Sequence, residues 1–387
     1  MRSEPGSNLD TAGQRRIVFV SGTRADFGKV EPLARAAHEA GFSVAWFVTG
    51  MHMLQRYGDT RREVRRQAPG DIYEFVNQSP GDPHDLILAK TMQGFADWIT
   101  EQPADLVVIH GDRVEALAVA LVCATRYIPC AHIEGGEVSG TIDEIYRHCN
   151  SKLCRYHFVS SEAARRRVIA LGEHPDDIYV IGSPELDYHG SEPEVSLEQV
   201  TGHYDIPFVD YGIVIFHPVT SESDTMGDQA RALYSSLAAS GRRFIAICPN
   251  NDPGSDAIFS VLDNLPAVQF RVIPSMRFAY FSVLMRNASV IVGNSSLGVR
   301  EAPFLGVPSL DIGTRQQNRS AAPSITHADA HDDEAIRHFL ATQWGERHER
   351  WAEFGSGDAG VRFRKILGDA AFWDRSRQKA FYDARTS

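Results

Sequence analysis

Short runs of β-branched and aromatic residues alternate with longer helical stretches along most of this 387-residue chain. In the first half the runs are mostly continuous, which is typical of parallel strands that helices cover on both faces. They predict strands at Arg16–Val20, Ser43–Val48, Asp105–Ile109, Cys130–Ile133, Tyr156–Val159 and Ile178–Ile181. The predicted helices among them are Lys29–Ala40, Asp85–Glu101, Arg113–Thr125 and Glu162–Gly172. The pattern therefore predicts an open, mostly parallel α/β sheet.

The alternation breaks between Pro184 and Val209, where proline, glycine and scattered acids predict a connection between domains. It resumes with predicted strands at Gly212–Phe216, Arg243–Cys248, Gln269–Ile273, Ser289–Gly293 and Val307–Asp311. The predicted helices between these are Met226–Ser240, Asp256–Leu262, Ala279–Arg286 and Val299–Leu305, and the segment from Asp333 to Ala384 is predicted to be mostly helical. The chain is too long for one comfortable core, so two Rossmann-like domains facing a cleft are expected.

The domain boundaries are set by these breaks in the pattern. Residues 1–14 are predicted to be a disordered extension, 15–185 a first domain, 186–210 the connection, and 211–360 a second domain. Residues 361–387 are predicted to form a helical tail that packs back on the first domain.

The composition excludes several classes of protein. There are 39 basic and 50 acidic side chains, so the net charge is −11, and no Lys/Arg stripe suggests nucleic acid as a partner. The five cysteines form no CxxC pair, which favours reduced thiols over disulfides or zinc. No apolar run reaches the roughly 18 residues of a membrane span, and the first residues lack the apolar core of a signal peptide. We expect a cytoplasmic protein with no membrane partner.

Polar motifs come directly after the first-domain strands, and ligands of such sheets bind at the carboxyl ends of the strands. The turn Ser21–Lys29 has Arg24 between Gly22 and Gly28 and ends at Lys29, and its free N–H groups at a helix start favour an anion. The alternative is an ordinary capped turn with a surface arginine.

An acidic cluster comes after the next two strands of the predicted sheet. Asp112 and Arg113 end one strand, while Glu134 and Asp143 lie in the glycine-rich stretch after the next. Neighbouring carboxylates push one another's pKa values apart, which suits acid–base chemistry. Two alternatives stay open: Asp112 is a helix N-cap, or the acids bind Ca²⁺ or Mg²⁺, which their placement after two different strands disfavours.

The second half carries a predicted anion-binding half-site. His217 precedes a proline at a strand end, and a Gly/Asn/Ser turn opens the helix predicted at Val299–Leu305. Glu301 in that helix is placed to bridge ribose hydroxyls, although Ser295 or Ser296 in a capping box would explain the same turn. Asn250 and Arg315 come after two further strands.

These motifs together resemble those of the hydrolysing UDP-N-acetylglucosamine 2-epimerases, including the NeuC-like enzymes and the epimerase domain of the bifunctional sialic-acid enzyme. The matching pieces are SGTRADFGK, VTGMH, HGDRVEALA, HIEGGEVSGTIDE, LGEHPDDIYVIGSPELD, FHPVT, PNND, GNSSLGVREA and GTRQQNR, in order from about Val18 to Arg319. The resemblance implies a GT-B-like fold, a homodimer or homotetramer, and neither metal nor cofactor.

The resemblance also implies residue roles. The catalytic acids match Asp112, Glu134 and Asp143, and the mechanistic histidine matches His217. The contacts to UDP match Arg24, Ala25, Asn250, Ser295, Ser296, Glu301 and Arg315, to which Arg113 is added from the shared HGDR motif. Lys29 is also expected at the substrate, although it departs from some relatives.

The implied reaction is anti elimination of UDP to a 2-acetamidoglucal, and then hydration to ManNAc for sialic-acid-type sugars. Departure of UDP gives C1 oxocarbenium character and makes the C2 proton removable, as in glycoside hydrolysis. Asp112 and Glu134 are the predicted acid–base pair, assisted by Asp143.

Four alternatives remain open at this point. They are the same reaction on UDP- or GDP-N,N′-diacetylbacillosamine, a non-hydrolysing epimerase, a GT-B glycosyltransferase, and a nucleotide-binding regulator. The segments Thr49–His52 and Ser79–His84 are the places where different sugar substituents could be read.

Overall fold

A computed structural model describes residues 15–138, 142–193 and 195–383. The predicted extension, residues 1–14, lies outside the described residues, and so do residues 384–387 of the predicted tail. In the described part of the chain, no helix combines the length and the apolar character needed to cross a membrane.

The first domain is built on a seven-stranded parallel sheet. Its strands are β1 Arg16–Ser21, β2 Ser43–Val48, β3 Asp71–Glu74, β4 Leu106–His110, β5 Cys130–Ile133, β6 Tyr156–Val159 and β7 Ile178–Val180. Its helices are α1 Arg24–Glu39, α2 Arg61–Gln67, α3 His84–Glu101, α4 Val114–Thr125, α5 Ile142–Leu153 and α6 Glu162–Ala170. The strand order is β3-β2-β1-β4-β5-β6-β7, so the order reverses between β1 and β4.

The connection contains two short helices, α7 Leu186–Gly190 and α8 Leu197–His203. The strands of the second sheet are β8 Gly212–Ile215, β9 Phe244–Ile247, β10 Phe270–Ile273, β11 Ile291–Gly293, β12 Ser309–Ile312 and β13 Ile325–Ala328. Its helices are α9 Met226–Ala239, α10 Ser255–Leu262, α11 Phe278–Asn287, α12 Glu301–Leu305 and α13 Asp333–Gln343. The order β10-β9-β8-β11-β12-β13 is the Rossmann order, with all pairs parallel. The predicted fold class is confirmed.

The chain then returns to the first domain through α14 Ala359–Leu367 and α15 Ala370–Trp373. Phe363 and Phe372 are buried with β1 and β6 residues in one apolar cluster, and the rings of Phe363 and Phe158 have centroids 4.8 Å apart. The prediction of a mostly helical tail is wrong for 344–358 and 374–383, which form neither helix nor strand. The domain boundaries at 185, 210 and 360 stay predictions.

Two edge strands were missed by the strand pattern. Both β3 and β13 consist of exposed and half-buried residues, unlike the fully buried central strands β4 and β8. Because only one side of an edge strand is paired and covered, its sequence lacks the continuous apolar run that marks a central strand. The helix predicted at Val299–Leu305 is also shorter than expected: a 3-10 turn at Ser296–Gly298 precedes α12, which has five residues.

Candidate active site

A cavity of about 310 Å³ lies between the carboxyl ends of the two sheets. Every residue predicted for the site lines it: Asp112, Glu134, Asp143 and His217, and the predicted ligand contacts Arg24, Ala25, Lys29, Arg113, Asn250, Ser295, Ser296, Glu301 and Arg315. The structure thus brings both half-sites together in one place. The chemical role of each residue stays a prediction.

Glu134 comes directly after β5 and has a backbone φ of +62°. This is the left-handed region, which residues other than glycine rarely adopt. Its Oε1 accepts hydrogen bonds from Ser183 Oγ at 2.8 Å and from Arg300, and its Oε2 accepts from Lys29 Nζ at 3.2 Å. His110 Nε2 lies 3.1 Å from the same Oε2. Burial opposes ionisation, but Arg300 and Lys29 hold the pKa of Glu134 well below its usual value. Glu134 is therefore an anion with both oxygens occupied.

His110 connects Glu134 to a second acid of the first domain. Its Nδ1 lies 3.1 Å from Asp26 Oδ1, so the imidazole sits between two carboxylates. Burial lowers the pKa of His110, but the hydrogen bonds to Asp26 and Glu134 outweigh it and raise the pKa overall. Sequence reasoning missed this link. Both residues stand in the quoted motifs SGTRADFGK and HGDRVEALA, which was the available signal.

Asp112 is more open to the cavity than Glu134. Its Oδ2 pairs with Arg147 on α5, and its side chain is 23% exposed, compared with 5% for Glu134. Its Oδ1 makes no hydrogen bond to any residue that the structure describes. The N-cap alternative for Asp112 is wrong, because Arg113 occupies that position of α4 without a side-chain cap.

Asp143 lies in the first turn of α5 and lines the cavity together with Asp112. One of its oxygens is 3.9 Å from Arg315 of the second domain. Arg147, one turn further along α5, is buried, and burial together with Arg319, Arg300 and Arg315 lowers its pKa well below the usual value. This corner of the cavity therefore combines carboxylates with several arginines, a charge pattern that suits a diphosphate.

His217 of the second domain lines the same cavity as these acids. Its Nδ1 accepts the backbone N–H of Asn250 at 3.2 Å, so in the neutral ring the proton resides on Nε2. Asn294 holds the His217 backbone from both sides: Oδ1 accepts its N–H at 2.7 Å, and Nδ2 donates to its carbonyl at 2.8 Å. Burial, and after it the charge of Arg315, lowers the pKa of His217 to about 3. His217 is therefore a neutral donor at physiological pH.

The Ser295 and Ser296 turn differs from its prediction in one respect. It opens a 3-10 turn rather than a long helix, and Ser295 makes no side-chain capping bond. The N-cap of α12 is Arg300 and not Ser296, so the capping-box alternative is wrong. A large helix dipole cannot be invoked there, because α12 has only five residues. Glu301, at the start of α12, accepts from His189 Nε2 at 3.0 Å.

The first-domain cations are already paired with protein groups. Arg24 contacts Glu63 and Ser275; Lys29 contacts Glu134 and Glu185; Arg113 contacts Asp252 and Asn251. Two of these cations, Arg24 and Arg113, therefore connect the two domains as well as lining the cavity. The capped-turn alternative is right in one detail, since Thr23 caps α1 by accepting from the Asp26 N–H at 3.1 Å.

Of the two segments expected to contact the sugar substituents, only one contributes to the lining of the cavity. Met51 of Thr49–His52 lines the cavity, whereas no residue of Ser79–His84 does. Among the described residues, no group of His, Cys, Asp and Glu side chains could hold a metal ion.

A family model described as UDP-N-acetylglucosamine 2-epimerase matches residues 34–368. The chain belongs to the UDP-N-acetylglucosamine 2-epimerase family. It is 42% identical over 376 residues to a UDP-N-acetylglucosamine 2-epimerase of Neisseria meningitidis serogroup B, covering 95% of this chain and 99% of that protein. It is 31% identical to a hydrolyzing UDP-N,N′-diacetylbacillosamine 2-epimerase of Legionella pneumophila, covering 81% of this chain and 85% of that one.

Solved structures of this family share the fold. The crystal structure of UDP-GlcNAc 2-epimerase from Neisseria meningitidis bound to UDP-GlcNAc superposes with a TM-score of 0.74 at 19% identity, covering 91% of this chain and 99% of that one. The Methanocaldococcus jannaschii enzyme in complex with UDP-GlcNAc and UDP gives a TM-score of 0.75 at 19% identity, with the same coverage. The predicted family and the GT-B-like fold are confirmed.

Proposed function

We propose that this epimerase is a hydrolysing enzyme that converts UDP-GlcNAc and water into UDP and ManNAc. The supporting observation is that the first-domain carboxylates line the same cavity as the histidine, serines and arginine of the second domain. A cleft of about 310 Å³ with a few convergent polar groups has the size and character of a small-molecule site.

The reaction has two halves. In the first, the bond between C1 and the diphosphate oxygen breaks, a base takes the C2 proton, and the electron pair forms the C1=C2 bond of a glycal. In the second, water adds its oxygen to C1 and a proton returns to C2 from the opposite face. The sum is hydrolysis with inversion at C2.

The two principal acids have different environments, which supports different roles. A carboxylate offers about four lone-pair sites, and donors occupy both oxygens of Glu134. Asp112 keeps one oxygen without a hydrogen-bond partner among the described residues and is open to the cavity. We therefore propose Asp112 as the C2 base and Glu134 as a fixed anion that stabilises positive charge at C1, with Asp143 assisting the hydration.

His217 and Arg315 suit the departing diphosphate. The neutral His217 ring carries its proton on Nε2, because Nδ1 accepts a backbone N–H, and such a donor can stabilise the leaving oxygen. Arg315 lines the same part of the cavity and adds a cation that is complementary to phosphate.

The relatives support the hydrolysing branch. Those named as hydrolyzing include the Legionella protein at 31% identity, and a polysialic acid biosynthesis protein of Escherichia coli is 30% identical. The UDP-N-acetylglucosamine 2-epimerase of Escherichia coli K12 is 24% identical. The 42% relative is named for the GlcNAc substrate, which favours that sugar over diacetylbacillosamine.

The test is incubation of the purified chain with UDP-GlcNAc in heavy water, with proton and phosphorus NMR of the products. We expect free UDP and ManNAc with deuterium at C2. UDP-ManNAc without free sugar would identify a non-hydrolysing epimerase, and a product without deuterium at C2 would favour a glycosyltransferase. Parallel reactions with UDP- and GDP-diacetylbacillosamine compare the sugars and the nucleotides.

The residue roles are tested in the same assay. Asp112→Asn and Glu134→Gln should each reduce UDP release strongly, and near-normal release by both would refute the assignment. Asp97→Asn, the same change at an exposed position of α3, is the matched control and should keep wild-type activity. The implied homodimer or homotetramer stays a prediction that sedimentation analysis can measure.

A further inference from the structure

Arg300 belongs to the second domain, yet its guanidinium is surrounded by acids of the first. It is 1% exposed, and its NH1 group donates to Glu134. The same NH1 lies 3.5 Å from Glu185 Oε1, and NH2 lies 3.0 Å from Glu137 Oε2. None of these acids belongs to the domain that carries Arg300. The side chain therefore connects the two halves of the molecule at the buried carboxylate of the site.

Glu134 depends on such support. A left-handed backbone conformation at a residue other than glycine persists only where its surroundings hold it. Arg300 and Ser183 hold Glu134 Oε1, while Lys29 and His110 are placed at Oε2. Of these four groups, Arg300 is the one that comes from the second domain. Its contact with Glu134 therefore requires both domains to be docked.

The residue that follows Arg300, Glu301, faces the cavity itself. Glu301 lines the cavity and accepts from His189, whereas Arg300 does not line the cavity and donates to Glu134. Two successive residues thus contact different parts of the site, Glu301 the cavity and Arg300 the carboxylate of Glu134.

We propose that Arg300 is a positioning residue for epimerisation, which acts through Glu134 by fixing that carboxylate when the second domain is docked on the first. This inference rests on the proposed function, because Glu134 is there the anion that faces C1. Arg300 does not line the cavity itself, so it is not a catalytic residue.

The charges around Glu134 determine the expected pH effect. The groups that face or neighbour it are Lys29 and Asp26 of α1, His110 of β4, Glu137, Glu185, and Arg300 and Arg319 of the second domain. Loss of a neighbouring cation raises the pKa of a carboxylate by about one to three pH units. Because Glu134 acts as an anion, Arg300→Gln should move the acidic limb of the kcat/KM profile upwards by that amount.

The experiment is a double-mutant cycle of Arg300→Gln and Glu134→Gln, with Arg300→Lys as the conservative variant. We expect Arg300→Gln to lower kcat about 100-fold, since supporting residues of this kind typically change activity by 10- to 100-fold. The affinity for UDP, measured by calorimetry, should change less than about threefold, because the nucleotide contacts stay intact. Arg300→Lys should recover part of kcat, and the double variant should be no slower than Glu134→Gln alone.

Arg286→Gln is the structural control. Arg286 lies in the same domain and donates to the backbone carbonyls of His189 and Ser191 rather than to Glu134. Its replacement should lower the unfolding midpoint without moving the pH profile. The proposal is overturned if Arg300→Gln behaves like this control, or if the loss of kcat in the double variant equals the product of the losses in the two single variants. If Arg300→Gln does not fold, Arg300→Lys supplies the pH profile.

Thermal unfolding at pH 5 and pH 8 of the four proteins of the cycle, which are the wild type, Arg300→Gln, Glu134→Gln and the double variant, gives a readout independent of turnover. If the change in unfolding midpoint of the double variant differs from the sum of the two single changes, the contact is supported. If the changes are additive, the coupling of Arg300 to Glu134 is overturned. A wild-type protein that releases no UDP from UDP-GlcNAc refutes the proposed function, and the unfolding cycle still decides whether Arg300 acts through Glu134.

Discussion

Replacement of Asn294 with aspartate tests how His217 is held at the cavity. Asn294 is 1% exposed, and its amide both accepts from the His217 N–H and donates to the His217 carbonyl. An aspartate of the same shape can still accept the first bond. It cannot donate the second, so two oxygens would face each other where a hydrogen bond of 2.8 Å now exists.

The size of the effect can be worked out from this loss. The missing hydrogen bond costs about 1 kcal/mol, and a buried carbonyl without a partner costs about 1–3 kcal/mol more. The free energy of unfolding should therefore fall by about 2–4 kcal/mol, and the unfolding midpoint by at least about 4 °C. Relief of the repulsion would shift His217, and a displacement of about 1 Å at a reacting group can lower the rate about 100-fold. We expect kcat for UDP release to fall by that factor.

The assay is continuous detection of UDP, together with thermal unfolding. Asn287→Asp is the matched control, because this asparagine is exposed at the end of α11 and bonds a backbone carbonyl of its own helix. It should keep kcat within twofold of wild type. If Asn294→Asp also keeps kcat within twofold, the amide of Asn294 is not what positions His217, and the reasoning is refuted.

Three further predictions concern stability. Arg113→Leu should lower the free energy of unfolding by about 3 kcal/mol, because Asp252, 4% exposed, loses its cation at 2.9 Å; chemical denaturation measures it. Gly94→Ala should destabilise by about 1–3 kcal/mol, because the added Cβ would lie 2.3 Å from the Phe75 ring, and Phe75→Leu should partly restore the midpoint. Burial lowers the pKa of His132 to about 3, so between about pH 6.5 and pH 3 only the unfolded chain takes up a proton at this histidine. The free energy of unfolding should therefore fall by about 1.4 kcal/mol per pH unit as the pH drops from about 6 to 3. His132→Phe should reduce that slope in denaturation curves.

Each of these has a matched control. Arg231→Leu removes an exposed ion pair and should change stability by less than about 0.5 kcal/mol. Gly202→Ala lies in α8 with open space around the new Cβ and should be neutral or stabilising. His331→Phe changes an exposed histidine and should leave the pH slope as it is. Equal effects of a test variant and its control would contradict the corresponding prediction.

The central strands and the site residues were within reach of the sequence for the same reason. A parallel strand covered on both faces is a continuous apolar run, and the residues directly after it in the chain lie at the carboxyl edge of the sheet. Asp112 comes after β4, Glu134 after β5 and His217 after β8, so each was predicted from its place after a run. Edge strands β3 and β13 lack such runs, and helix α8 was hidden among turn residues of the connection.

The sequence by itself determined the fold class and many of the side chains that line the cavity, because strand pattern and position after a strand are local properties of the chain. Only the tertiary structure decided what each charge contacts. Arg300 and Glu134 are 166 positions apart, and His110 and Asp26 are 84 apart. Whether an acid is a saturated anion like Glu134 or an open one like Asp112 depends on donors that other strands and the other domain bring to it. Ion pairing and desolvation act through space, so these roles are set by packing between distant segments.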